Sequence, residues 1–203
     1  MAYFPIFTDI SKKKCIIVGG GKVACRKIRT LCQFDADILL ISEQFCEEVT
    51  QLIRDNQFIH GKRGHAEEKD LEDAVLVVAA TSSRQANHQI YEWCTEKKIP
   101  VNVIDAPEEC SFLFPSIVKR KELCIGINTA GQSPIISAKV RREIEAAVPE
   151  YYAEIAEQLG RLKLYLKEHV TSEEERRRIL KTTAAKAFEL ERKLTEDELW
   201  SLL

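Results

Sequence analysis

The 203-residue chain carries 30 Lys and Arg against 32 Asp and Glu, a formal net charge of -2, and 45% of its residues are hydrophobic. That charge balance exerts no global pull toward nucleic acid or an anionic membrane, so any anion site must be local, and the apolar content excludes wholesale disorder. No apolar run approaches the roughly 20 residues that span a bilayer, and "MAYFPIFTDISKKK" places its basic cluster after its apolar residues, the reverse of a secretory signal, so a cytoplasmic location is expected.

From residue 15 to about 105, strand-like and helix-like runs alternate. "CIIV" (15–18), "DILLI" (37–41), "FIHGK" (58–62), "AVLVVAAT" (74–81) and "PVNVID" (100–105) read as strands. The second, fourth and fifth are nearly continuous apolar runs, as strands covered on both faces should be. Between them, "KVACRKIRTLCQF", "EQFCEEVTQLIRDN" and "SRQANHQIYEWCTEKK" have helical spacing. Ser82, three residues before Gln85, reads as a capping box for the last of these. The alternation predicts an α/β fold of Rossmann type, a doubly wound parallel sheet.

After Asp105 the pattern changes. "SFLFPSIVKRKELCIGINT" reads as an antiparallel hairpin turning at Lys119–Glu122. Ser133 and Pro134 then start a helix as N-cap and first helical residue, and that helix ends before Pro149. The rest reads as helical, with Ile155, Leu159, Leu162, Leu166 and Val170 on one stripe. "SEEE" from Ser172 and "TEDE" from Thr195 read as capping boxes. Three domains are expected: a dinucleotide-binding domain (1–106), a small α+β dimerisation segment (107–148) and a helical C-terminal domain (149–203).

The loop "VGGGKVA" carries the chemistry. Gly19, Gly21 and Ala24 fit G-x-G-x-x-A at the first strand-to-helix turn. The first Gly permits the turn, the second admits a pyrophosphate to the backbone, and the small third residue lets helix and strand pack closely. Free N–H groups at the helix start bind phosphate oxygens, and Lys22 adds charge beside them. By itself the pattern is a weak signal, equally at home in a plain tight turn; the strand–turn–helix context strengthens it. At the second strand's end Ser42 is followed by Glu43, and no Lys or Arg lies between Asp37 and Arg54 to hold a 2′-phosphate. This favours NAD over NADP.

Other candidates have plainer readings. Asp105 closes the fifth strand, where ligands bind in such sheets, but an Asp there also caps a turn. Thr81, Ser82 and Ser83 end the fourth strand, facing a cofactor or capping a helix. His60 and His65 lack a third ligand, so no metal site is expected. Lys119, Arg120 and Lys121, with Lys139, Arg141 and Arg142, form either a solvated face or a clamp for a carboxylate-rich ligand. The seven cysteines are odd in number without CxxC spacing, and read as reduced, mostly buried thiols.

"FPIF" (4–7), "VGGGKVACRK" (18–27), "AAT" (79–81), "NVIDAP" (102–107), "FLFPS" (112–116) and "GQSP" (131–134) occur in an order that resembles precorrin-2 dehydrogenase, the NAD-binding module of siroheme synthase and of its stand-alone relatives. The resemblance covers about residues 1–148. It implies oxidation of precorrin-2 to sirohydrochlorin with NAD as hydride acceptor, toward siroheme or cobalamin, in a homodimer formed through the segment after the dinucleotide fold. It assigns NAD contacts to Gly21, Lys22, Val23, Glu43, Gln44, Thr81 and Val103, and the catalytic role to Asp105. Some family members also insert iron, which makes a bifunctional dehydrogenase and ferrochelatase one alternative. Another is a non-catalytic NAD-sensing dimer with the helical tail as its effector surface. Fusion members carry a phosphorylatable Ser where this chain has Asn128, so that regulation is not expected, and neither is their methyltransferase domain.

Overall fold

The apolar runs of the first half form five parallel strands in the computed structural model, which describes residues 3–203. These are β1 (Lys14–Val18), β2 (Asp37–Ser42), β3 (Ile59–Arg63), β4 (Leu76–Ala79) and β5 (Val101–Val103), in the order β3-β2-β1-β4-β5. The crossovers are α1 (Lys22–Cys32), α2 (Glu47–Asp55), a one-turn segment at Glu68–Leu71, and α3 (Arg84–Glu96). Every pairing within the sheet is parallel. The chain therefore moves outward from β1 in one direction and then from β4 in the other, the doubly wound arrangement expected from the alternation.

Strand pleating divides the core. In β1, Cys15 and Ile17 pack in a layer with Ala24, Ile28 and Leu31 of α1 and Val49 of α2. Ile16 and Val18 pack in the opposite layer with Ile90 and Cys94 of α3. Consecutive strand residues point to opposite faces, so a strand covered on both sides must be apolar throughout. This is why β1 and β2 read as unbroken hydrophobic runs. Burial also raises the Cys15 thiol to about 11 and that of Cys94 to about 12, and all seven cysteines are free.

Several boundaries differ from the sequence expectation, each for a local reason. The second helix starts at Glu47 because the Cys46 N–H donates to the Gly20 carbonyl (2.9 Å), which holds residues 43–46 as a loop. Helix α3 is capped by Ser83, whose Oγ accepts from the Ala86 N–H (3.2 Å), and the expected Ser82–Gln85 box is absent. Strand β5 stops at Val103, so Asp105 lies two residues beyond it. A second one-turn segment at Pro107–Glu109 follows.

By internal contacts the chain divides into Met1–Phe114 and Pro115–Leu203. Residues 107–114 group with the sheet because the Ser111 N–H donates to the Val101 carbonyl (2.9 Å) and Asn102 Nδ2 donates to the Phe112 carbonyl (3.1 Å).

The second unit holds the expected hairpin, β6 (Ser116–Arg120) and β7 (Leu123–Ile127), then α4 (Pro134–Ala147), α5 (Tyr151–His169), α6 (Glu173–Glu189) and α7 (Glu196–Trp200). The predicted stripe on α5 is its buried face: Ile155 packs with Ala187 and Leu194, and Leu162 and Leu166 pack with Ile179. Ser133 caps α4 with Pro134 at its first turn. Thr195 and Glu198 form the reciprocal capping box of α7. Ser172 caps α6 through the Glu175 N–H, without the return bond. Glu198 also takes a two-pronged contact from Arg192 (2.8 Å each), which holds its carboxyl down at about 2. No helix among the described residues is long and apolar enough to cross a membrane.

Candidate active site

The site is built where the winding direction reverses, between the carboxyl ends of β1 and β4. Here the glycine loop is pressed against its neighbours. Gly19 has a φ of 127°, and a Cβ added there would lie 2.2 Å from the Ala80 carbonyl oxygen. A Cβ on Gly20 would lie 2.0 Å from the carbonyl oxygen of Gln44. Backbone bonds lock this approach: the Gly19 N–H donates to the Ile41 carbonyl (2.8 Å) and the Ala80 N–H to that of Val18 (2.7 Å).

Gly21 behaves differently. It is the N-cap of α1, with no side-chain cap, and a Cβ added to it meets no described protein atom within 4 Å. The first turn of α1 contains no acidic residue. Its N–H groups are therefore uncapped by side chains and open toward a cleft, the arrangement that suits an anion at a helix N-terminus. The residues present fit a dinucleotide pyrophosphate.

The cleft, about 910 Å³, is lined by Gly19, Gly21, Lys22, Val23, Glu43, Gln44, Thr81 and Asp105, among others. Two of the expected cofactor residues lie elsewhere. Ala24 is fully buried in the layer between α1 and the sheet, as the helix-packing argument requires. Val103 is 2% exposed in the opposite core layer, and its N–H donates to Cys110 Sγ (3.2 Å). It is not among the residues that line the cleft.

The Glu43 side of the cleft was only partly legible in the sequence. Strand β3 brings Gly64, His65 and Ala66 to the rim of the cleft beside Glu43. His65 Nε2 lies 3.3 Å from Glu43 Oε1, whereas His60 Nε2 lies 3.1 Å from Asp37, so the two histidines engage different carboxylates. In the strand register Arg63 stands opposite Ser42. Its guanidinium lies 5.7 Å from the Phe45 ring centroid. A count of basic residues along the β2–α2 connection could not register this Arg.

At the other end, Thr81 is held by Asn87, which is 4% exposed. The Thr81 N–H (3.1 Å) and Oγ1 (2.7 Å) donate to Asn87 Oδ1, and Asn87 Nδ2 donates back to the Thr81 carbonyl (3.1 Å). Asp105 has a φ of 59°, a left-handed conformation that Asp tolerates better than most residues. Its carboxylate makes no side-chain hydrogen bond or ion pair with any described residue, so it does not cap the turn that it occupies. It is exposed at the cleft wall.

The basic residues beyond the sheet domain are largely engaged within their own unit. Arg120 pairs with Glu150 (3.1 Å), Lys121 with Glu157 (2.9 Å), Lys139 with Glu143 (2.7 Å), and Arg141 with Glu145. Arg142 is exposed without such a pair among the described residues. Sequence reasoning also passed over Lys27. Its Nζ sits 3.8 Å from the Phe114 ring centroid, and burial lowers its ammonium to about 8.

Residues 6–116 match a family model described as "Putative NAD(P)-binding". The chain is 37% identical over 177 residues to the siroheme synthase of Ruthia magnifica subsp. Calyptogena magnifica, covering 87% of this chain and 37% of that one. It is 36% identical over 178 residues to the siroheme synthase of Thioalkalivibrio sulfidiphilus, covering 88% and 36%. The chain thus spans a little over a third of the length of these relatives. A solved structure titled "SirC, precorrin-2 dehydrogenase" superposes with a TM-score of 0.83 over 98% of this chain and 96% of that one, at 18% identity. That likeness shows the shared fold.

The glycines allow fold and binding to be separated. Gly20→Ala forces a Cβ into backbone and is expected to lower the thermal midpoint. Gly21→Asp meets open space and should leave the midpoint close to wild type, while abolishing NAD binding by setting a carboxylate against the pyrophosphate. Thermal unfolding and calorimetry on both variants check this. A Gly21→Asp protein that still binds NAD normally would reject the pyrophosphate assignment.

Proposed function

The chain belongs to the NAD(P)-binding family matched over residues 6–116, and from that membership we propose that it oxidises precorrin-2 to sirohydrochlorin with NAD, with Asp105 as general base. The siroheme synthase relatives support the choice of substrate, since their similarity to this chain runs through the sheet domain and well beyond it. The observation that carries the reading is Asp105: an exposed carboxylate, unbonded within the described residues, on a left-handed turn at the wall of the dinucleotide cleft.

Dehydrogenation of the reduced tetrapyrrole removes one hydride and one proton. NAD, when bound, supplies the hydride acceptor. The chain's own residues do the rest. Gly21 and the uncapped first turn of α1 hold the pyrophosphate, with Lys22 adjacent. Glu43 accepts from the adenosine ribose hydroxyls, and Gln44 borders the same end. Thr81, fixed by Asn87, contacts the cofactor at the tip of β4. Asp105 accepts the proton released from the macrocycle carbon, a role open to a carboxylate with no competing hydrogen bond. The substrate carries several carboxylates, which suit exposed cations.

Asp105→Ala is expected to abolish NADH formation with precorrin-2 under anaerobic conditions and to leave NAD affinity nearly unchanged. Turnover close to wild type in this variant would remove Asp105 from the mechanism.

NAD should bind more tightly than NADP, because Glu43 repels a 2′-phosphate. Glu43→Gln should narrow the difference, since the carboxylate that repels the phosphate is then gone and His65 remains beside it. Calorimetry giving equal affinities in the wild type would reject the assignment to Glu43.

The proposal includes a homodimer formed through the hairpin and α4. Ile135 is 80% and Ile136 55% exposed on the first turn of α4, apolar surface that a second copy would cover. Light scattering should give twice the chain mass; a stable monomer at micromolar concentration would count against it.

A further inference from the structure

The turn that carries Asp105 is fastened from both sides. On the inner side, Cys110 Sγ accepts from the Val103 N–H (3.2 Å) and faces the carbonyls of Val103 (3.2 Å) and Ala106 (3.4 Å). On the outer side stands Glu109, a carboxylate only 7% exposed. Its Oε1 accepts from Arg84 Nη2 (2.7 Å) and lies 2.7 Å from His88 Nδ1, and its Oε2 accepts from Arg84 Nη1. Arg84 and His88 lie one turn apart on α3. These bonds from Arg84 and His88 hold the Glu109 carboxyl down at about 2.

The same helix turn holds the other side of the cleft. Asn87 lies between Arg84 and His88 in sequence and clamps Thr81 by three hydrogen bonds. The start of α3 therefore binds two separate loops, the one at Thr81 and the one at Asp105, through different side chains. A surface ion pair contributes little to a fold. A buried carboxylate with both oxygens engaged by a fork and one of them also by a ring nitrogen is instead a rigid geometric constraint. It lies four residues from Asp105, across a one-turn segment closed by the bond from the Glu109 N–H to the Ala106 carbonyl (3.0 Å).

We propose that Glu109 is a positioning residue: by tying the 107–109 turn to Arg84 and His88 of α3, it sets Asp105 relative to the Thr81 loop. The proposal rests on the reading of Asp105 as the base. Glu109 touches neither substrate nor cofactor in this scheme, and acts through the backbone of the turn.

The test is steady-state and binding measurement on the full chain with precorrin-2 and NAD, anaerobically. Glu109→Gln should lower kcat roughly 10- to 100-fold, the range expected when a reacting group is displaced by about 1 Å, while the Kd for NAD stays at the wild-type value. Arg84→Met should do the same, Arg84→Lys should recover part of the loss, and the double variant with Glu109→Gln should be no worse than the poorer single variant. A kcat for Glu109→Gln equal to wild type, with Asp105→Ala inactive, overturns the positioning role and leaves the base intact. An active Asp105→Ala overturns both. A loss of NAD affinity in step with kcat also overturns the proposal, because the network would then serve the cofactor loop or the fold alone. Should Glu109→Gln show no cooperative unfolding transition, His88→Ala decides: a several-fold loss in kcat at unchanged NAD affinity supports the role, and an unchanged kcat overturns it.

Discussion

Everything in the sheet domain depends on the contact of the glycine loop with the tips of β2 and β4. No side chain fits between Gly19 and the Ala80 carbonyl, or between Gly20 and that of Gln44. The contact does three things at once. It brings the carboxyl ends of β1, β2 and β4 to one place. It starts α1 with its first-turn N–H groups open to the cleft. It also delays the start of α2 until Glu47, because Cys46 is drawn to the Gly20 carbonyl. The resulting loop, residues 43–46, lines the cleft.

Helix α3 is the second brace, and its two faces work at different scales. Ile90 and Cys94 bury against the sheet and give the helix its place. Removing an aliphatic side chain of that kind typically costs about 2–5 kcal/mol. The polar residues of its first turns then hold the two loops at Thr81 and Asp105. Asn87 and Glu109 are among the few buried polar residues of this unit, and each is satisfied. Burying such groups without partners would be costly, so their bonding and the fixed position of the loops are one physical fact.

The C-terminal unit follows simpler rules. An apolar stripe on α5 meets α6, and the caps at Ser172 and Thr195 begin α6 and α7. Its charge runs mostly neutralise themselves, since four basic residues that looked available in the sequence pair with carboxylates of the same unit. The choice between a solvated face and a ligand clamp turns on such pairing, which composition cannot register.

What the sequence determined by itself was whatever depends on neighbours along the chain. The apolar runs and helical periods specified the doubly wound sheet, and G-x-G-x-x-A in its strand–turn–helix setting specified the glycine loop that lines the cleft. Thr195 with Glu198 specified a helix start. Tertiary structure decided whatever depends on approach between distant segments. It moved the cap of α3 from Ser82 to Ser83, and buried Val103 in a core layer. It brought Arg63 at the end of β3 and His65 just beyond it beside Ser42 and Glu43, which linear counting between Asp37 and Arg54 had passed over. It also joined Glu109 to Arg84 and His88, more than twenty positions away in the chain. The physical reason is that periodicity records which face of an element is apolar, whereas a polar contact across a turn depends on where two backbones end, and only the packed sheet sets that.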